Sequence, residues 1–277
     1  MRLFMSGLSG AAILALLEGD RRLASLLALA RQQGAGLRRL EEMVHSGADH
    51  APATSIAASR AMFDRLVEIS PEASVAAYSL GDPALLEAAS TEITGWLLGV
   101  GLLEHRPRIL DLGCGIGRIA QALAPHARSI LGLDVSRGMI EAARRRCNAL
   151  PHLEFVLTSG HGMDELPAGG FDLLLAVDVF PYLVQAGDGL AERHVADAGR
   201  LLRPGGNLVI LNFSYRGIQQ DRIDLRAMAA QHGFTLLREG TREFKLWDAD
   251  AFWLSKPDGL ASGAADAGRA TYLGRPR

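Results

Sequence analysis

The segment Ile109-Leu110-Asp111-Leu112-Gly113-Cys114-Gly115-Ile116-Gly117 restricts the folds open to this chain more than any other stretch. It reads as a short apolar strand, an acidic residue near its end, and then glycine at every second position. The helical pattern Arg118-Ile119-Ala120-Gln121-Ala122-Leu123-Ala124 follows at once. Strand, glycine turn and helix open a nucleotide-binding βα unit, where glycine lets the chain bend sharply and a ligand approach bare backbone. A dinucleotide fingerprint, G-x-G-x-x-G, needs glycine at 118, and Arg118 stands there, which disfavours an NAD(P) oxidoreductase.

From 107 onward, apolar strand patterns alternate with helical ones, the signature of a parallel α/β sheet. The strands are expected at Arg108–Leu112, Ser129–Asp134, Leu153–Leu157, Phe171–Val177 and Asn207–Asn212. A closing hairpin is expected over Phe234–Trp247 and Phe252–Ser255. The fourth strand is apolar on both faces, which suits the centre of a parallel sheet. Asp134 ends the second strand, where a carboxylate can accept both hydroxyls of a ribose. Ligands of open α/β sheets bind beyond the carboxyl ends of the strands, so Asp178 to Tyr182 should face the reacting groups. His194 is expected on a solvated helix face. Gly205-Gly206 should turn the chain into the fifth strand with positive φ values.

The loop as it stands is Asp-x-Gly-x-Gly-x-Gly, and it resembles motif I of the class I S-adenosylmethionine (SAM)-dependent methyltransferases. Leu133-Asp134-Val135-Ser136-x-x-Met139 resembles motif II of the same family, and Leu202-Arg203-Pro204-Gly205-Gly206 its turn before strand five. The resemblance covers about 105–256. It implies a Rossmann-like sheet of seven strands in the order 3-2-1-4-5-7-6, with strand seven antiparallel. It implies SAM as cofactor and S-adenosylhomocysteine as product. It also implies donor-binding residues: Asp111, Gly113, Cys114, Gly115 and Gly117 in the loop, Asp134 on the ribose, and Val135 and Met139 beside adenine. The family commonly carries an acid after strand three for the adenine amino group. Here Thr158-Ser159-Gly160-His161 follows, and the nearest acid is Asp164. A backbone carbonyl near Gly160, or His161, would have to substitute. Asp178 is equally placed by the resemblance to meet the donor's amino-acid end through its backbone. By location, Asp178, Tyr182 and Tyr215 are the candidates for a general base.

Residues 1–105 read as helical: about 11–33, 37–46, a helix carrying Ala61, Phe63, Leu66, Val67 and Ile69, and one started by Asp82-Pro83. This extension is expected to roof the acceptor pocket, with Tyr78 the residue to watch, or to form a homodimer face. The Gly- and Ala-rich stretch 257–277 is expected to be partly disordered. A net charge of −2 offers no global field for nucleic acid. Cys114 and Cys147 have neither C-x-x-C nor zinc spacing, which points to a reduced, cytoplasmic protein with no metal. The apolar run Leu3–Leu17 continues in helical spacing through Glu18, Asp20, Arg21 and Arg22, so it reads as a soluble helix rather than a signal peptide. The function expected is transfer of the SAM methyl group to an oxygen, nitrogen or carbon of a small-molecule acceptor by in-line displacement. The alternatives are a SAM-binding module without catalysis and a methyltransferase of RNA or protein.

Overall fold

The computed structural model describes residues 54–75 and 82–258. The expected helices at 11–33 and 37–46, Tyr78 and nearly all of the C-terminal stretch lie outside them. Among the described residues, three helices precede the sheet: α1 (Ile56–Ile69), α2 (Pro71–Val75) and α3 (Pro83–Gly99). Ser55 caps α1 by accepting from the Ala58 N–H. Asp82 caps α3 by accepting from Ala84 and Leu85, with Pro83 at the first helical position. Both devices satisfy donors that a helix start otherwise leaves unpaired.

The sheet core then alternates: β1 (Arg108–Leu112), α4 (Arg118–Leu123), β2 (Ser129–Asp134), α5 (Arg137–Arg146), β3 (Leu153–Leu157), β4 (Phe171–Val177), α6 (Phe180–Ala186), α7 (Leu190–Leu201), β5 (Leu202–Leu211), α8 (Ile218–Gln231), β6 (Thr235–Arg242) and β7 (Asp250–Ser255). The seven strands lie in the order β3-β2-β1-β4-β5-β7-β6. β1 to β5 pair in parallel, and β7 runs antiparallel to both β5 and β6. The chain moves outward from β1 to β3 and returns to β4 on the other side. This reversal opens a crevice beyond the carboxyl ends of β1 and β4.

Strand periodicity sorts the core onto two faces. Leu110, Leu174, Ala176, Leu208 and Ile210 face α6, α7 and α8, together with Phe180, Val195, Leu201 and Leu225. Ile109, Leu173, Leu175, Val209 and Leu211 face the opposite way, onto Ile93 and Leu97 of α3, Ile119 and Leu123 of α4 and Ile140 of α5. Each central strand therefore carries apolar residues on both of its faces.

Three expectations need correction. β5 begins at Leu202, because Leu202 pairs with Phe171 while Asn207 pairs with Leu173, so the Pro-Gly-Gly turn is a bulge inside the strand. Gly205 takes φ +74°, whereas Gly206 does not adopt a positive φ. β6 ends at Arg242 rather than Trp247. Phe244 and Trp247 leave the sheet and stack, Phe244 lying edge-on to Trp96 of α3, while Glu92 accepts from the N–H groups of Lys245 and Leu246. Tertiary packing overrides the strand preference of these aromatics. His194 is 2% exposed, not solvated. Its Nδ1 bonds the Leu190 carbonyl at 2.8 Å, and burial lowers its pKa.

Candidate functional site

The glycine loop leaves β1 with three positive φ angles, +67° at Gly113, +52° at Gly115 and +75° at Gly117. A side chain is excluded twice over at the first two, by conformation and by space. A Cβ on Gly113 would lie 2.2 Å from Val179 Cγ2, and one on Gly115 would lie 2.8 Å from Val75 Cγ1. Gly117 instead lets α4 approach α5, since its Cβ would stand 3.1 Å from that of Ala143. Cys114 fills space under the loop. Its N–H donates to the Leu133 carbonyl, and burial pushes its thiol well above the usual range, so no thiolate forms there.

Two carboxylates sit beneath this loop. Asp111 is 1% exposed, and its Oδ2 is buried with no hydrogen-bond partner among the described residues. Burial raises its pKa to about 7; Arg118 opposes that shift and Asp134 adds to it. Asp134 is tied on both oxygens: Oδ2 accepts from Gly115 N–H and Oδ1 from Ser136 N–H, each at 2.9 Å. Burial raises Asp134 to about 6, against those backbone donors. The second carboxylate therefore locks the loop's shape.

Val135, which the resemblance places beside adenine, lies against Gly160 (φ +78°), whose Cβ would stand 2.6 Å from Val135 Cγ1 and 2.8 Å from Ile56 Cγ2. Two expected residues are not brought there. Met139 is fully buried in a cluster with Val67, Leu86 and Ile116, beneath the helical extension. His161 is exposed, and Asp164 pairs with Arg193 at the surface.

Around the turn after β4 the structure gathers Asp178, Tyr182 and Tyr215. Asp178 follows β4 with φ +58°, and burial raises its pKa to about 6, opposed by an Asn212 hydrogen bond and by Arg118. Burial, and then the Asp178 charge, raises the Tyr182 hydroxyl. Tyr215 moves the same way, by desolvation around its hydroxyl and then by Asp178, although the residue as a whole is 61% exposed. Both phenols hold their protons at neutral pH, so among the three only Asp178 suits a proton acceptor.

The helical extension closes over these groups. Asp64 of α1 accepts from Ser136 Oγ (2.6 Å) and Gly138 N–H (3.1 Å) at the start of α5. Phe63 meets the Tyr182 ring edge-on at 5.1 Å. Val75 of α2 covers Gly115. Asp64 and Asn212 escape a reading of the sequence, because their partners are 72 and 34 residues away along the chain. Among the described residues no helix is long and apolar enough to cross a membrane, and no His, Cys, Asp or Glu cluster could hold a metal ion.

A family model described as a methyltransferase domain matches residues 109–206. A demethylmenaquinone methyltransferase of Tropheryma whipplei is 29% identical over 156 residues, 56% of this chain and 59% of that protein. A probable thiol methyltransferase 2 of Arabidopsis thaliana is 30% identical over 170 residues, 58% of this chain and 70% of the relative. The chain belongs to the class I SAM-dependent methyltransferases. Among solved structures, phosphoethanolamine N-methyltransferase 1 of Haemonchus contortus shares the methyltransferase fold, with a TM-score of 0.58 over 74% of this chain and 50% of that one at 16% identity. The chain spans 37% to 59% of the length of several curated relatives it matches. The family's donor fits the residues present. A buried carboxylate oxygen without a partner lies under a loop that excludes side chains, and Arg118 replaces the glycine a pyrophosphate would require.

Proposed function

We propose that this protein transfers the methyl group of SAM to an oxygen, nitrogen or carbon nucleophile of a small-molecule acceptor. The observation that carries this reading is Asp111 Oδ2, buried and unpartnered at the end of β1. A buried acceptor without a donor is costly, and a cationic ligand group removes the cost. In this reading Asp111 holds the ammonium of the donor's amino-acid end. The backbone of Gly113 and Gly115 lies beside it, Asp134 takes the ribose hydroxyls, and Val135 flanks the adenine. When bound, SAM supplies a methyl group already made electrophilic by its sulfonium.

The protein's own task is positioning, which is worth on the order of 7–11 kcal/mol for well-oriented reactants. Tyr182 and Tyr215, protonated at neutral pH, orient the acceptor by donating hydrogen bonds, and Asp178 takes a proton where the acceptor must lose one. The α1 and α2 helices keep water from the crevice.

Calorimetric titration with SAM, S-adenosylhomocysteine and NADH tests the site. Both SAM species are expected to bind, NADH is not, and Asp111→Asn should weaken S-adenosylhomocysteine by about tenfold or more, the loss of a charge-assisted hydrogen bond. Failure of wild type to bind either SAM species would overturn the reading. Incubation with methyl-labelled SAM and a panel of small acceptors then identifies the nucleophile.

A further inference from the structure

Asp178 and Asn212 end the adjacent parallel strands β4 and β5, and both adopt left-handed backbone, φ +58° and +65°. Such angles are uncommon outside glycine, and Asn and Asp tolerate them best. Asn212 is fixed from the far side by β7: its N–H donates to the Asp250 carbonyl, and its Oδ1 accepts from the Asp250 N–H, each at 3.0 Å. A backbone N–H can only donate, so the side-chain atom facing Asp250 must be the amide oxygen. The amide nitrogen is thereby turned to Asp178, and donates to its Oδ1 at 2.8 Å. Asp178 Oδ2 accepts no hydrogen bond among the described residues. The Asp178 charge reaches the hydroxyls of both Tyr182 and Tyr215.

We propose that Asn212 is a positioning residue, which ties one oxygen of Asp178 and leaves the other to take the proton of an acceptor whose attacking atom carries hydrogen. This rests on the methyl-transfer reading above and narrows it to protonated nucleophiles, hydroxyls or ammonium groups. The proton leaves the attacking atom for Asp178 Oδ2, before attack where that atom is an ammonium nitrogen, whose lone pair exists only once the proton is gone; the lone pair then closes the new bond to carbon, and sulfur keeps the electron pair of the bond that breaks.

The charged and titratable groups around Asp178 come from four directions. Arg118 of α4 favours its anion, as does the Asn212 donor after β5. Asp248, in the turn before β7, disfavours it. Tyr182 of α6 and Tyr215 beyond β5 face it as neutral phenols. Among the described residues, Asn212 is the one neutral side chain that favours the Asp178 anion.

The test reads the carboxyl group directly and needs no acceptor. Protein labelled with ¹³C at aspartate carboxyls is titrated by NMR, and Asp178 is assigned by the resonance lost in Asp178→Asn. Asn212→Asp keeps the shape and the Asp250 bond, but places an oxygen where the donor was. Two carboxyl groups then share one site, and the Asp178 midpoint should rise by more than about one pH unit. Asn212→Gly keeps the positive φ and removes only the amide, so a smaller rise is expected. It carries the test alone if Asn212→Asp does not fold. Unchanged midpoints in the folded variants would overturn the proposal. S-adenosylhomocysteine affinity, measured on the same samples, reports separately on the donor site. If the midpoint moves and wild type does not bind the ligand, Asn212 still sets the Asp178 carboxyl, while the methyl-transfer reading and the proton transfer that rests on it fail.

Discussion

A methyl group on Gly113 would meet Val179 Cγ2 at 2.2 Å, in a backbone conformation of φ +67° that L-residues avoid. The conformation costs about 1–2 kcal/mol and overpacking about 1–3 kcal/mol. Gly113→Ala should therefore lose roughly 2–5 kcal/mol in thermal or urea unfolding, the sum of those two costs. Gly189 isolates the first cost, because it has φ +69° and ψ 14° with nothing within 4 Å of a built Cβ. Gly189→Ala should lose only the conformational part. Equal losses at the two sites would mean that Val179 yields freely and does not define the loop. Gly113, Gly115 and Gly117 were legible in the sequence because the glycine pattern is local. Asp134 was legible for the same reason, although its service to the Gly115 and Ser136 amides was not. Met139 and His161 were placed by resemblance, and their surroundings were not legible: Met139 is buried in a cluster with Val67 and Leu86, and His161 is exposed.

At the scale of elements, the strands read most clearly, since four of the seven have the expected bounds. Their apolar runs are uninterrupted and bounded by turn residues. The failures lie where one element is recruited by another: the bulge at the start of β5, and the aromatics that leave β6 for α3. His194 illustrates the difference between a residue and its stripe. It shares a face with Leu190, Val195, Ala198 and Leu201, and that spacing buries it whatever its polarity. The helix α1 is held to the sheet core by a device of this long-range kind. Asp64 reaches the start of α5, where a carboxylate is favoured by two free donors and by the helix dipole. Asp64→Ala should cost about 1–2 kcal/mol locally. Hydrogen exchange of peptides in 56–69 should quicken about tenfold or more, while those of β1 and β4 change little. Unaltered protection of α1 would show that the apolar contacts of Ile56, Phe63 and Val67 suffice without the latch.

The molecule as a whole concentrates three carboxylates at one end of its sheet, Asp111, Asp134 and Asp178, with folded pKa values of about 7, 6 and 6 against an ordinary 3.8. Between the unfolded and folded values, the folded chain keeps a proton that the unfolded chain has released. Stability from such a group is fully present below the unfolded pKa and is lost as pH rises through the folded one. For Asp111 the loss runs from about pH 4 to about pH 7, and at 1.36 kcal/mol per pH unit it amounts to roughly 4 kcal/mol. Asp134 and Asp178 act in the same direction. His194 acts in the opposite one, because burial lowers its pKa and the unfolded chain binds the extra proton. The contribution of Asp111 is therefore read as a difference. Asp111→Asn should gain roughly 2–4 kcal/mol on wild type between pH 5 and pH 8 in urea unfolding without ligand. Saturating S-adenosylhomocysteine should shrink that difference, because a cationic group against Oδ2 favours the ionised carboxylate in the folded state alone. A difference that stays flat with pH would mean that Asp111 ionises freely when folded. A difference that grows with pH but ignores the ligand would leave Asp111 buried and strained without a role in holding the donor. The instability of this end of the sheet at neutral pH is thus tied to its chemistry: the carboxylates that weaken the empty fold are those that a cationic ligand and a proton-bearing acceptor would relieve.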